Sequence, residues 1–368
     1  MTELKIASIS DIHLGNKRNT TSEIIANLRL AFPNNAETAD LDIIFIAGDV
    51  FDGLLTLPDT DVTAIDAWIS YLLRICSKHD ICLRILNGTP SHDWGQSERF
   101  LTIAKITQST CDVRYVKDLS IEYMERFDIN VLYVPDEWDN FADRTLDQVY
   151  DLLKAKGLNA VDYAVMHGAF THQLPDNVKC QKHNPDEYLK IVSELIFIGH
   201  IHTYSRYDRI IAQGSFDRLT HGEEEDKGHI RAVITDTNRS VTFVKNKGAK
   251  IFKSIDCSLL SVEETISRID NVVKDLPEGS NIRVIGTSDN SIFTNMNILI
   301  RRHPLFVWSK LIRDEELDEE VIEEHISSFI PITITPENIK SLLLDRIGAS
   351  GLTMEVLRTA DLLLTELI

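Results

Sequence analysis

Short apolar runs alternate with longer stretches of helical periodicity from the start of the chain to about residue 244, the pattern of an α/β protein with parallel strands. Lys5-Ile6-Ala7-Ser8-Ile9, Asp42-Ile43-Ile44-Phe45-Ile46-Ala47 and Cys82 to Leu86 read as buried strands, rich in β-branched residues. Between them, Thr21 to Phe32 carries Ile24, Ile25, Leu28 and Leu30 at helical spacing. Val62 to His79 does the same with Ile65, Trp68, Ile69, Leu72, Leu73 and Ile75. Shorter strands are expected at Val113 to Val116 and Ile129 to Val134. A helix over Leu146 to Ala155 then precedes strands at Tyr163 to Met166 and Leu195 to Ile198. Arg209 to Gln213, His229 to Thr235 and Ser240 to Val244 read as short antiparallel strands.

The character changes near Lys245-Asn246-Lys247-Gly248-Ala249-Lys250, a basic run that Lys253 continues. Residues 1–253 are taken as one large domain. A small α+β unit is expected over 254–312, with a helix at Val262 to Leu276 and strands at Asn281 to Gly286 and Asn297 to Arg301. Residues 313–334 read as an acidic linker, dominated by the run from Asp314 to Glu324. In 335–368, Thr335 is placed to cap a helix that has Pro336 at its first position and Gly348 at its end; a second helix follows from Thr353 to Leu367. This Leu-rich pair suits either docking on the chain's own core or a partner's helices.

At 368 residues, 43% hydrophobic and 26% charged, the chain has the composition of an ordinary globular protein with room for one large core and smaller satellites. Neither a transmembrane helix nor a signal peptide is read from it, and no membrane partner is expected. Cys76, Cys82, Cys111, Cys180 and Cys257 are scattered and odd in number, which fits reduced thiols. The expected location is therefore the cytoplasm, or the host cytoplasm for a viral chain. A formal net charge of −19 argues against a tight, autonomous DNA binder, because phosphate neutralisation drives that affinity. DNA binding here would need local basic patches, bound cations or a partner that supplies positive surface.

Candidate chemistry sits where the apolar runs end. Ser10-Asp11-Ile12-His13-Leu14-Gly15 follows the first, Gly48-Asp49-Val50-Phe51-Asp52 the second, and Asn87-Gly88-Thr89-Pro90-Ser91-His92-Asp93 the third. Later strands end in His167-Gly168 and Gly199-His200-Ile201-His202. One Asp-x-His or Gly-Asp is weak evidence; an ordered set at successive strand ends is strong, because that is where ligands sit in open α/β sheets. Mixed imidazole and carboxylate ligands suit Mn²⁺, Fe or Zn²⁺ better than Mg²⁺ or Ca²⁺. Two cations held roughly 4 Å apart can activate water, neutralise phosphoryl oxygens and stabilise a leaving oxygen, which is what phosphodiester hydrolysis requires. Asp49 suits the bridging position, and Asp11, His13, His167, His200 and His202 the terminal ones. His92 suits the general acid, with Asp93 orienting it. His79, His172, His183, His221, His229, His303 and His325 lack this placement and read as structural or surface residues.

In this order, these residues resemble the calcineurin-like metallophosphoesterase superfamily. Within it, the Asp11 and Asp49 motifs are similar to those of SbcD/Mre-type DNA repair exonuclease subunits, including viral ones. Gly214-Ser215-Phe216-Asp217-Arg218 and Gly222-Glu223-Glu224-Glu225-Asp226-Lys227-Gly228 strengthen that likeness. It covers roughly Met1 to Val244; beyond that it rests on architecture alone. The resemblance implies a two-sheet β-sandwich flanked by helices, with a small capping domain and a C-terminal helix-loop-helix. It also implies two Mn²⁺ ions (Mg²⁺ or another divalent ion as substitutes), and 3′–5′ exonuclease and single-strand endonuclease activity in double-strand break repair or recombination. The implied assembly is a homodimer bound to an SMC-like ATPase of SbcC type, with dimer contacts near 62–79 and 99–106. One departure stands out. Ser91 occupies the place where such chains carry a metal-binding Asn, so Ser91, Thr89 or water fills that corner, and the second metal is expected to bind more weakly. The competing expectations are a metallophosphoesterase acting on nucleotides or phosphoproteins, and a catalytically weak scaffold for DNA ends.

Overall fold

The computed structural model describes residues 3–55, 60–175, 177–178 and 180–313. Its strands in chain order are β1 (Leu4–Ile9), β2 (Ile43–Ala47), β3 (Cys82–Leu86), β4 (Val113–Val116), β5 (Ser120–Met124), β6 (Ile129–Val134), β7 (Val161–His167) and β8 (Val192–Gly199). There follow β9 (Ser205–Tyr207), β10 (Ile210–Ala212), β11 (Gly228–Ile234), β12 (Arg239–Lys245), β13 (Phe252–Asp256), β14 (Asn281–Gly286) and β15 (Val307–Ile312). They form two six-stranded sheets, ordered β12-β11-β1-β2-β3-β4 and β5-β6-β7-β8-β10-β9, and a three-stranded one, β13-β14-β15. The fold is the expected mixed α/β architecture. β5 and β9, too short and polar to stand out in the sequence, are edge strands paired antiparallel to β6 and β10.

The β1-β2-β3-β4 pairs are all parallel, so the chain must return across one face between strands, and helices make most of those crossings. Thr21–Ala31 starts from a capping box, in which Thr20 accepts from Glu23 N and the Glu23 side chain accepts from Thr20 N. Thr60–His79 sets Ile65, Trp68, Ile69, Leu72 and Leu73 against Ala7, Ile9, Ile44, Ile46, Leu83 and Ile85. Because side chains alternate along a strand, Ile6, Ile43, Phe45 and Leu86 point the opposite way. There they meet Tyr133, Tyr163, Leu195 and Phe197 of the second sheet. That sheet's outer face is covered by Ala142–Lys156 and Pro185–Ile191, through Val149, Leu153, Tyr188 and Ile191. Strands covered on both faces cannot show a polar face, which is why they read as unbroken apolar runs. A largely buried ion pair crosses the sandwich: Arg84 on β3 donates to Glu122 on β5 (Nη2 to Oε1, 2.9 Å), and Tyr133 OH donates to the same carboxylate (2.9 Å).

Around β13-β14-β15, Ile255, Ile269, Val273, Ile282, Val284 and Phe293 make a separate small core. Ser254 N donates to Glu224 Oε1 of the larger body (3.0 Å). The strand expected at Asn297 to Arg301 is instead a helix, Asn297–Arg302. β14 and β15 are parallel, so the chain between them has to cross over, and the third strand is supplied by Val307–Ile312. The acidic run from Asp314 and the helix-loop-helix expected over 335–368 lie outside the described residues. Among the described residues, no helix is long and apolar enough to cross a membrane, and the five cysteines form no disulfide.

At the start of β11, His229 packs near Phe32 and Phe216, with ring centroids 5.4 and 6.4 Å away, and its Nε2 accepts from Arg231 Nε at 3.0 Å. Burial pushes its imidazole down to about 3, so it stays neutral in the folded chain. The unfolded chain therefore takes up a proton between about pH 6.5 and 3 that the folded chain refuses, and stability falls as pH drops through that window. His229→Gln keeps an acceptor for Arg231 but cannot titrate. Denaturant unfolding at pH 7 and pH 4 is expected to show the variant losing about 2–3 kcal/mol less than wild type across that interval; equal losses would remove His229 from the acid response.

Candidate metal centre

Six strand ends converge at one edge of the sandwich. Asp11 and His13 follow β1, Asp49 follows β2, and Thr89, His92 and Asp93 follow β3. Asp136 follows β6, His167 is the last residue of β7, and His200 and His202 follow β8. The first two loops run alongside each other: Asp11 N donates to Gly48 O, Ile12 N to Asp49 O and Leu14 N to Val50 O, at 2.8–3.2 Å. Four of the site residues lie at positive φ, namely Asp11 at 50°, His13 at 54°, Asp49 at 49° and His200 at 93°. Side chains rarely adopt this backbone and each instance costs about 1 kcal/mol or more, so the surrounding contacts must hold it in place. Two glycines have to be glycine here: a Cβ at Gly48, which has φ of 85°, would overlap the His167 ring, and one at Gly88 would overlap Asp49.

The seven residues picked out as metal ligands or acid form one linked cluster. Candidate ligand atoms of Asp11, His13 and His202 lie within 4.8 Å of one another, as do those of Asp49, His167 and His200 and those of His13, Asp49 and His92. Asp49, 1% exposed, is at the centre. Its Oδ1 lies 3.3 Å from His167 Nε2, and its Oδ2 lies 2.8 Å from His92 Nδ1 and 3.8 Å from His13 Nε2. His202 Nε2 approaches Asp11 Oδ1 at 3.8 Å, and Asp11 also accepts the His200 amide at 3.0 and 3.1 Å.

The donor set fits divalent cations. His13 is 2% exposed; its Nδ1 lies 3.0 Å from Asp52 Oδ1, while Nε2 faces Asp49 at 3.8 Å with no hydrogen-bond partner. A buried, unsatisfied imidazole nitrogen costs about 1–3 kcal/mol, and a bound cation would satisfy it. His167 Nδ1 donates to Ala47 O at 2.7 Å, which turns Nε2 toward Asp49. Burial opposes charge on His167, but Asp49 outweighs it and holds the imidazole well above its usual range. Burial likewise favours the neutral form of Asp49, while His167, His92 and His13 drive its carboxyl far below the normal range. Burial and then the charge on His167 lower His200, leaving it neutral and able to bind metal. The residues can therefore hold a divalent ion beside Asp49.

Supporting residues surround this cluster; the sequence did not mark Glu223, Asp52 or Asp136 as site residues, and Thr89 only as an alternative to Ser91. Glu223 Oε1 lies 3.1 Å from His202 Nδ1, while its other oxygen receives Ser215 Oγ, Leu219 N and Lys227 Nζ at 3.0–3.3 Å. Burial would raise Glu223, but His202 and Lys227 bring it down to about 2. Gly214–Gly228 thus serves as the scaffold for His202. Asp52 stands behind His13. The Thr89 hydroxyl and Asp136 carboxylate reach the pocket formed by Asp49, His167 and His200, with Thr89 Oγ1 3.3 Å from Asp49 Oδ2 and 3.4 Å from each imidazole. Ser91, expected in that corner, is instead exposed on the helical turn Pro90–Asp93, and its carbonyl accepts from Trp94 Nε1 at 2.8 Å. The turn begins at Pro90, so Thr89 faces inward and Ser91 outward. The Asp93 carboxylate, expected to orient His92, accepts Phe51 N at 3.1 Å and Gly88 N at 2.7 Å, clamping two of the site loops together.

No protein-family model matches the sequence, and no curated protein matches it. Among solved structures, TT1561 of Thermus thermophilus superposes with a TM-score of 0.38 at 9% identity, over 66% of this chain and 99% of that one. Another solved chain gives 0.40 at 11% identity, over 67% and 100%. Likenesses this weak say nothing about activity.

Burial, then the neighbouring Asp49 charge, raise Asp93 to about 6, even though both of its oxygens accept amides. Asp93→Ala strands two buried donors, and is expected to lower the unfolding free energy of the metal-free chain by about 2–4 kcal/mol. A denaturant melt within about 0.5 kcal/mol of wild type would show that the clamp is not structural.

Proposed function

We propose that the chain is a two-metal DNA phosphodiesterase, a 3′–5′ exonuclease and single-strand endonuclease of SbcD/Mre type working in break repair or recombination. The observation that carries the reading is the linked set of carboxylate–imidazole groups, in which Asp49 joins His167 and His200 to His13 and His92, and His13 joins Asp49 to Asp11 and His202, with His13 Nε2 buried and without a hydrogen-bond partner. Two divalent cations, Mn²⁺ in the family the sequence resembles, would neutralise the phosphoryl oxygens and make water a better nucleophile. The protein's own residues do the rest. Asp49 faces both groups; Asp11, His13 and His202 form one side and His167 and His200 the other. Glu223 and Ala47 O fix the rotation of His202 and His167 by occupying their second nitrogens. His92 reaches Asp49 from the open side with its side chain 38% exposed, so its proton can pass to a leaving oxygen.

A base-bearing substrate is favoured over a small ester by Trp94, two residues from His92. The residue is 59% exposed, yet its indole is pinned by the bond from Nε1 to Ser91 O. An exposed, fixed aromatic ring is a stacking surface for a single-stranded base. Homodimer formation and docking of 335–368 on an SbcC-type ATPase complete the reading, carried by the sequence resemblance.

The test is Mn²⁺-dependent cleavage of end-labelled DNA beside hydrolysis of p-nitrophenyl phosphate and cyclic nucleotides. Cleavage of DNA is expected, with His92→Ala reducing it about 10²–10⁴-fold and Trp94→Ala weakening DNA binding while leaving small-ester turnover unchanged. Turnover of the small esters alone would favour a nucleotide or phosphoprotein esterase. An unchanged rate in His92→Ala would remove it as the acid.

A further inference from the structure

Asp136 has no place among the motifs that suggested a metal site. It follows β6 as Val134-Pro135-Asp136, a strand end of the same kind as those that carry Asp11, Asp49 and His167, and it is half-buried. Its Oδ2 lies 3.6 Å from His200 Nδ1 and 3.1 Å from Thr89 Oγ1. Thr89 is itself fixed, because its amide donates to Asp49 Oδ1 at 2.6 Å. One hydroxyl, with one proton, therefore sits among Asp49 Oδ2, Asp136 Oδ2, His167 Nε2 and His200 Nδ1, all within 3.1–3.4 Å. One proton can satisfy only one of the two carboxylate oxygens. Two carboxylates and two imidazoles thus converge on one hydroxyl, a set of donor atoms that a divalent cation fits.

We propose that Asp136 is a carboxylate ligand of the second cation site, the one formed by Asp49, His167 and His200, and that Thr89 holds it in position. This rests on the metal reading above and extends it. With Asp136 the pocket holds two carboxylates and two imidazoles. A cation there meets more negative charge than Asp49 alone provides, and harder oxygen donors, which favour Mn²⁺ or Mg²⁺ over softer ions. The second ion then binds comparably to the first, reversing the expectation drawn from Ser91.

The experiment is Mn²⁺ titration of the full chain, read calorimetrically and by the electron paramagnetic resonance of free Mn²⁺, so that catalysis is not the readout. Wild type is expected to take up two ions. Asp136→Ala is expected to keep one and lose the other, or weaken it at least tenfold. Asp136→Asn, nearly the same shape, keeps a neutral oxygen and is expected to lie between them, which decides the matter should the alanine variant fail to fold. Ser91→Ala is expected to match wild type. Two ions bound at wild-type affinity by both Asp136 variants would overturn the assignment of Asp136 while leaving the metal reading intact, and so would loss of an ion in Ser91→Ala. A wild-type chain that binds no ion would overturn the metal reading itself, and this inference with it.

Discussion

The Asp49 carboxylate is the point on which the rest of the site depends. It is buried where loops from both large sheets meet, and a carboxylate there is tolerable only if its charge is answered at once. His167 and His92 face it, and the Thr89 amide donates to it. The two imidazoles come from different strand ends, so neither loop can shift without leaving charge uncompensated. The site is therefore part of what holds the two sheets in register at that edge, along with the bond from His167 Nδ1 to Ala47 O.

That coupling accounts for the cost the backbone carries. Four left-handed residues cluster within these loops, together with glycines that have no room for a side chain, Gly48, Gly88 and Gly199 among them. Strain of this kind persists only where surrounding contacts over-determine the conformation. Here the contacts are specific: Phe51 and Gly88 amides on Asp93, the His200 amide on Asp11, and backbone pairing between the loops after β1 and β2. Far from the site, Arg84 and Glu122 fix the sheets against each other a second time. Between those anchors the apolar layer can remain ordinary packed side chains.

Much of this was legible because both-face burial leaves unbroken apolar runs, and the polar residue that ends such a run is conspicuous. Asp11, His13, Asp49, His167, His200 and His202 stood out in that way, and the structure gathers them into one cluster. Asp136 ends a run too, but a lone acid in Pro135-Asp136-Glu137 looks like any turn. Thr89 and Ser91 are both hydroxyls, and which one faces inward depends on where the turn at Pro90 begins, a matter of a single residue of phase. Glu223 lies within an acidic stretch whose members look alike until Lys227 is found buried beside them. Asn297–Arg302 was misleading for another reason: Ile298 and Ile300 favour a strand locally, and only the crossover that parallel β14 and β15 demand makes the segment a helix.

Charge is where the proposed role meets its hardest constraint. The basic run after β12 offered a local patch for phosphate, but Lys245 pairs with Asp226, Lys250 with Glu23, and Lys253 with Glu224. Those three lysines are partly neutralised by carboxylates beside them at the surface. A chain of net charge −19 then repels a polyanion at long range, although beyond about 8 Å in physiological salt that repulsion is largely screened. What remains is local. Asp52 behind His13 and Glu223 behind His202, the latter paired with Lys227, keep the surroundings acidic. Two divalent ions would offset the charge of Asp11, Asp49 and Asp136, and the imidazoles add no charge once they bind metal. On this reading, attraction to phosphate arises at the metal centre itself, and only when it is loaded. Recognition of a strand end would then be coupled to the presence of the ions that cut it, while a metal-free chain would leave DNA alone.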